Sequence, residues 1–140
     1  MSKLEDFNKT LTATGDLERE ELEENLAEIQ DLVKIDPNNG FVRIIGKENY
    51  SDKQKIQLIA VSRLLYNHLQ IHLKNENTVD ASVSVDDLEN MLKINRRSLT
   101  NRIGELRDSG QLVDSGKGSV KATSHTIKPF LKGLKKGKKE

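Results

Sequence analysis

The chain has 140 residues, 34% hydrophobic and 32% charged, enough for one modest core with an elaboration. It has no Cys or Trp and only 3 Phe and 2 Tyr, which excludes disulfides and thiolate chemistry and argues against an aromatic-lined pocket. The net charge of +1 hides a split: residues 1–50 hold 6 Lys/Arg against 12 Asp/Glu, whereas residues 93–139 hold 13 against 3.

Such asymmetry is expected of a chain with one half facing a polyanion; an ordinary solvated surface with a basic tail is the plainer alternative. No apolar run reaches the roughly 18 residues of a membrane span, so no membrane partner is expected. The opening Met1-Ser2-Lys3-Leu4-Glu5-Asp6 lacks the apolar core of a secretory leader. A cytoplasmic location is the expectation.

Residues 1–14 have few apolar positions and predict a flexible lead. Residues 15–50 predict an acidic helix followed by a β-hairpin. Asp16 can cap the helix over 16–32, in which Leu22, Leu26, Ile29 and Val33 recur at helical spacing. Its other faces carry Glu18, Glu20, Glu21, Glu23, Glu24 and Glu28. Two β-prone runs then flank Asp36-Pro37-Asn38-Asn39-Gly40, where Pro37 presets a turn and Asn39 or Gly40 can take positive φ. Leu32 and Val33 suit either the helix or the first strand.

Residues 51–74 predict the strongest helix. Ser51-Asp52-Lys53-Gln54 matches a capping box. Leu58, Val61, Leu65 and Leu69 line one side, and Ile56, Ala60, Leu64 and Ile71 another. A helix apolar on two sides is covered on two sides, by the N-terminal unit or by a second copy. If a second copy supplies that cover, the chain forms a homodimer through 51–74, or secondarily through 17–33. Residues 74–78 read as a polar loop.

Ser84 predicts an N-cap, with Val83 and Leu88 as a hydrophobic staple. Asn95 repeats the pattern with Ile94 and Leu99. Two short helices with a turn at Lys93-Ile94 follow, and Leu88, Leu92, Ile94, Leu99, Ile103 and Leu106 converge on one small core. Gly110 can terminate the second helix in the left-handed conformation. Gln111–Asp114, the tip Ser115-Gly116-Lys117-Gly118-Ser119 and Val120–Thr123 read as a hairpin.

With these residues in view, 51–131 resembles a winged helix-turn-helix domain of bacterial and archaeal transcription regulators. The resemblance rests on Leu88 and Leu92, the Ile94-Asn95 turn, the Leu99/Ile103/Leu106 face and the exit through Gly110 into Leu112-Val113. It implies an α+β, mostly α fold: a winged helix-turn-helix with an N-terminal acidic helix and β-hairpin extension. It also implies double-stranded DNA as partner, with a recognition helix at about 96–109 in the major groove and a wing at about 111–123 on the backbone. Carried onto this chain, the outward positions are Arg96, Arg97, Thr100, Asn101 and, nearer the edge, Arg102. Arginine forks onto guanine, asparagine onto adenine, and threonine meets a phosphate or a thymine methyl. Lys93, Lys117 and Lys121 are the expected phosphate contacts. The competing reading is a winged-helix adaptor that binds protein. Gly104 is unexpected in a helix interior; it either permits a close approach by DNA or a partner or has no role.

A short final helix is expected from Thr126, with Pro129 in its first turn. Residues 132–140 read as a basic tail that either neutralises phosphates or solubilises. His68 and His72 lie four apart, but no third ligand stands near, so no metal is expected. Gly116-Lys117-Gly118-Ser119 has the wrong spacing for a phosphate-binding loop. No enzyme, cofactor or small-molecule ligand is evident.

Overall fold

The structure, a computed structural model, describes residues 19–137. The expected lead at 1–14, the Asp16 cap and the last tail residues, 138–140, lie outside the described residues. The fold is α+β and mostly helical. Helix α1 spans Arg19–Ile29, strands β1 and β2 span Val33–Ile35 and Val42–Ile44, and a 3-10 turn covers Lys47–Asn49. Helix α2 follows at Asp52–His72, then β3 at Val83–Ser84, α3 at Val85–Leu92 and α4 at Arg96–Asp108. Strands β4 (Leu112–Asp114) and β5 (Ser119–Ala122) lead into α5, Ser124–Gly137.

Helix α2 is the central element. Its capping box closes from both sides: Ser51 Oγ accepts from Gln54 N–H at 3.2 Å, and Gln54 Oε1 accepts from Ser51 N–H at 2.8 Å. Both apolar sides are covered from within the chain. Helix α1 and β2 pack on it, as do α4 and β5. Ile56, Leu58, Ile59, Val61 and Leu65 are fully buried. The residues that pointed to a dimer seam along 51–74 are thus largely covered within a single chain. Ile71 and Leu73, at the helix end, stay exposed.

The β1–β2 hairpin pairs Val33 with Ile44 and Ile35 with Val42, and turns these side chains toward α2. Val33 therefore belongs to the strand, not to the helix, which ends at Ile29. Gly40 takes φ +74°, and a Cβ there would overlap Val79 Cγ1. The close approach is enforced by Arg63, a buried cation in the middle of α2. Its guanidinium donates to Gly40 O at 2.9 Å, Asp80 O at 2.9 Å and Ser82 O at 3.0 Å. Desolvation pulls Arg63 below its ordinary value, opposed by the charges of Asp87 and Asp80. One turn on, Asn67 Nδ2 donates to Val79 O at 2.8 Å, and Gln70 Oε1 accepts from Val79 N–H at 2.6 Å. A polar stripe on α2 thereby holds the loop that delivers the chain to β3.

Strand β3 was not anticipated. It pairs antiparallel with β5, Val83 opposite Val120, and gives a three-stranded sheet in the order β3-β5-β4. The last helix also differs from expectation. It begins at Ser124 and runs through Gly137, so Pro129 is its sixth residue and 132–137 are helical, not a tail. The amide that proline lacks would have met a carbonyl one turn back. Burial of Ile127, Leu131 and Leu134 against the core outweighs that loss.

Removing the Arg63 head group strands three carbonyls, two of them at buried hydrogen bonds. Arg63→Met is expected to lower unfolding free energy by about 3 kcal/mol in urea titrations at neutral pH. A second prediction concerns acid. Hydrogen bonds from the Ser82 amide and hydroxyl hold the Asp80 carboxyl below the ordinary aspartate value. A lowered folded value means its stabilisation is complete above the unfolded value of 3.8 and fades as pH falls below it. Thermal unfolding of Asp80→Asn should therefore lose less between pH 5 and pH 2.5 than wild type does (pH limits set roughly around that value).

Candidate nucleic-acid interface

Two short helices and a tight turn build the candidate surface. Ser84 caps α3, its Oγ accepting from Asp87 N–H at 3.0 Å. Lys93 ends α3 in the left-handed conformation, φ 56°, and so reverses the chain within two residues. Asn95 then caps α4 by accepting the Arg97 N–H at 2.8 Å. Leu99, Ile103 and Leu106 bury the inner face of α4 against α2 and α3. Gly110, at φ +80°, turns the chain out of α4, and Gln111 N–H returns to Leu106 O at 2.9 Å.

The hairpin expected after Gly110 forms. β4 and β5 pair Leu112 with Ala122 and Asp114 with Val120, and Ser115 N–H donates to Ser119 O across the tip. The tip is anchored to the start of α3, where Val85 N–H donates to Gly118 O at 2.9 Å. Arg107 Nε meets Asp114 Oδ1 at 3.1 Å and ties the last turn of α4 to β4.

All eight residues expected at the surface are exposed: Lys93, Arg96, Arg97, Thr100, Asn101, Arg102, Lys117 and Lys121. They are not equally available. Arg96 reaches back to α3 and pairs with Asp86 and Glu89, at 2.5 and 3.3 Å. The hydrogen bond to Asp86 holds it above the ordinary arginine value. Arg96 therefore links the two helices while its side chain stays exposed. Arg102 pairs with Glu105 at 2.6 Å, and Glu105 also takes Lys53 Nζ at 2.9 Å. These contacts, Lys53 first, hold Glu105 below the usual glutamate range. The Thr100 hydroxyl donates to Arg96 O at 2.8 Å but stays at the surface. Among the described residues no ion pair engages Lys93, Arg97 or Lys117. Lys121 lies on β5 within electrostatic reach of Asp80.

Arg107 is the functional candidate that sequence reading missed. It lines a notch of about 310 Å³ with Lys117 and the backbone of Gly116 and Gly118, between α4 and the hairpin tip. Two cations beside glycine backbone suit a phosphate. Asp114, on the same notch, offsets part of that charge. Larger clefts lie elsewhere, one of about 750 Å³ between the N-terminal hairpin and α3, although none was evident from the sequence. Of the two histidines four apart on α2, His68 is buried and His72 exposed. Among the described residues no three His, Asp or Glu side chains gather in a metal-binding group. No described helix is long and apolar enough to cross a membrane.

Gly104 has no internal reason to be glycine, since a Cβ there would meet nothing within 4 Å. Gly104→Ala is expected to raise unfolding free energy by about 1 kcal/mol, read from the urea midpoint, because it removes only backbone freedom. No family model, curated protein or solved structure matches the chain, and function has to be read from this surface itself.

Proposed function

We propose that residues 51–131 form a winged helix-turn-helix domain that binds double-stranded DNA, and that the protein is a transcription regulator. Helix α4 enters the major groove and the β4–β5 hairpin, as the wing, follows the backbone. One observation carries the reading: α4 buries Leu99, Ile103 and Leu106 and leaves Arg97, Thr100 and Asn101 open on the opposite side. Those three types recognise base edges and phosphates, and a helix seated by its apolar face holds them in fixed register. Lys93 at the turn, Lys121 on β5 and the Arg107–Lys117 notch supply phosphate contacts that orient the helix.

A second reading, a winged-helix adaptor for another protein, is favoured by one specific feature. Asp86, Glu89, Glu105 and Asp114 neutralise Arg96, Arg102 and Arg107, which weakens the field that a polyanion would feel. The two readings separate on duplex binding.

Selection from random duplex DNA, followed by gel retardation, is the test. Arg97→Ala and Asn101→Ala are expected to relax sequence preference by about 1–3 kcal/mol each, with folding unchanged. Lys117→Ala should weaken all duplexes alike and lower the salt slope by about 1. Asp86→Asn with Glu89→Gln should release Arg96 and raise affinity at low salt. Absence of retardation at low salt would exclude the DNA reading and leave the adaptor.

A further inference from the structure

A cleft lies away from the outer face of α4, where the N-terminal hairpin meets the last turn of α3. Its volume of about 750 Å³ falls in the range of small-molecule sites. Apolar lining comes from Phe41, Ile44, Met91 and Leu92. Phe41 is 36% exposed, one of few large apolar side chains left open among the described residues. Cationic lining comes from Lys34, Arg43 and Lys47.

The arrangement of those cations is the informative part. Lys34 and Arg43 stand directly opposite each other in the β1–β2 register, both on the exposed face. Like charges in that relation destabilise a strand pair. A hairpin of three residues per strand has little stability to spare. Two acids, Asp36 and Glu48, also line the cleft, so its side chains sum to three cations and two anions. Neither acid forms an ion pair with these cations. Asp36 accepts the Asn38 N–H at 2.8 Å within the turn, and among the described residues no ion pair engages Lys34, Arg43 or Lys47. An in-register cation pair beside an apolar wall is complementary to a ligand with one anionic group and one apolar body.

We propose that this cleft binds a small amphiphilic anion, its carboxylate, sulfonate or phosphate between Lys34 and Arg43 and its apolar body against Phe41 and Met91. The site stands independently of duplex binding. Its position gives an occupant a mechanical consequence, because Leu92 lines the cleft and Lys93, the next residue, makes the reversal that aims α4. A ligand that prefers one setting of this turn shifts the population of that setting.

The test uses the full-length protein and the aromatic sulfonate 8-anilinonaphthalene-1-sulfonate, titrated by fluorescence, with inorganic phosphate as a competitor lacking an apolar body. Lys34→Glu is the informative variant. It places opposite charges in register, so the hairpin folds at least as well as wild type, which the urea midpoint verifies. Expected are saturation near one equivalent, affinity reduced about tenfold or more in Lys34→Glu and again in Met91→Glu, and phosphate competing only at far higher concentration. Sulfonate affinity unchanged in Lys34→Glu would overturn the proposal, since the probe would then lie elsewhere. Phosphate competing as well as the sulfonate would overturn the amphiphile assignment. Loss of duplex retardation in Lys34→Glu, with sulfonate binding intact, would assign these cations to a DNA backbone contact and overturn it too.

Discussion

The structure depends on a charge placed where apolar packing alone would not put one. Arg63 sits in the middle of α2, with Ile59 and Leu64 near it in sequence and both buried. A guanidinium removed from water has to be met by acceptors or it destabilises the fold. Here the acceptors are three backbone carbonyls from two different segments, the 36–41 turn and the 80–82 loop. Carbonyls are fixed by the chain path, so satisfying Arg63 fixes the path. The N-terminal hairpin and the entry to β3 are set against the same side chain. Gly40 is the steric counterpart, because only a residue without Cβ can come so close to Val79 and Arg63.

That constraint reaches the candidate interface through short connections. Ser82 lies next to Val83, which pairs with β5, and Ser84 caps α3. The β5 strand belongs to the hairpin whose tip holds Val85 N–H. From the buried cation to the end of the hairpin, each step is a hydrogen bond to the backbone or a packed aliphatic side chain. Such contacts give a rigid scaffold for the open side chains of α4.

Much of this was legible in the chain, and the misses have physical causes. Local rules found the capping box at Ser51, the caps at Ser84 and Asn95, the turn at Gly40 and the exit at Gly110. Each depends only on residues within four positions. The failures lie where distant residues decide. Strand β3 needed β5 as a partner, although the alternation Ser82-Val83-Ser84-Val85 carried the signal. Arg63, Asn67 and Gln70 recur at helical spacing inside an apolar helix, a visible hint that a polar strand of chain crosses it. Their acceptors could not be read from spacing. Pro129 misplaced the last helix because the rule weighs one lost hydrogen bond and not the burial of Ile127, Leu131 and Leu134. The exposure of the α4 residues followed from the Leu99/Ile103/Leu106 period. The pairing of Arg96 with Asp86 and Glu89 did not, since it spans the turn between two helices.

Under the DNA-binding proposal, the acids around α4 bear on how the surface would discriminate between duplexes. A uniformly positive helix binds any duplex tightly, because phosphates are everywhere and the attraction ignores sequence. Specificity is a difference between the right site and the rest, and it grows when the non-specific part is held down. On this surface, three arginines are matched by carboxylates on α3, α4 and β4, while Arg97 is matched by none among the described residues. A neutralised arginine keeps its donors but contributes less long-range pull, and it has to leave an acid to meet a base. An unmatched one incurs no such exchange. Under the DNA-binding proposal, the unmatched charge on α4 is that of Arg97, one helical turn from Asn101, so a base-edge contact there is one that no acid opposes.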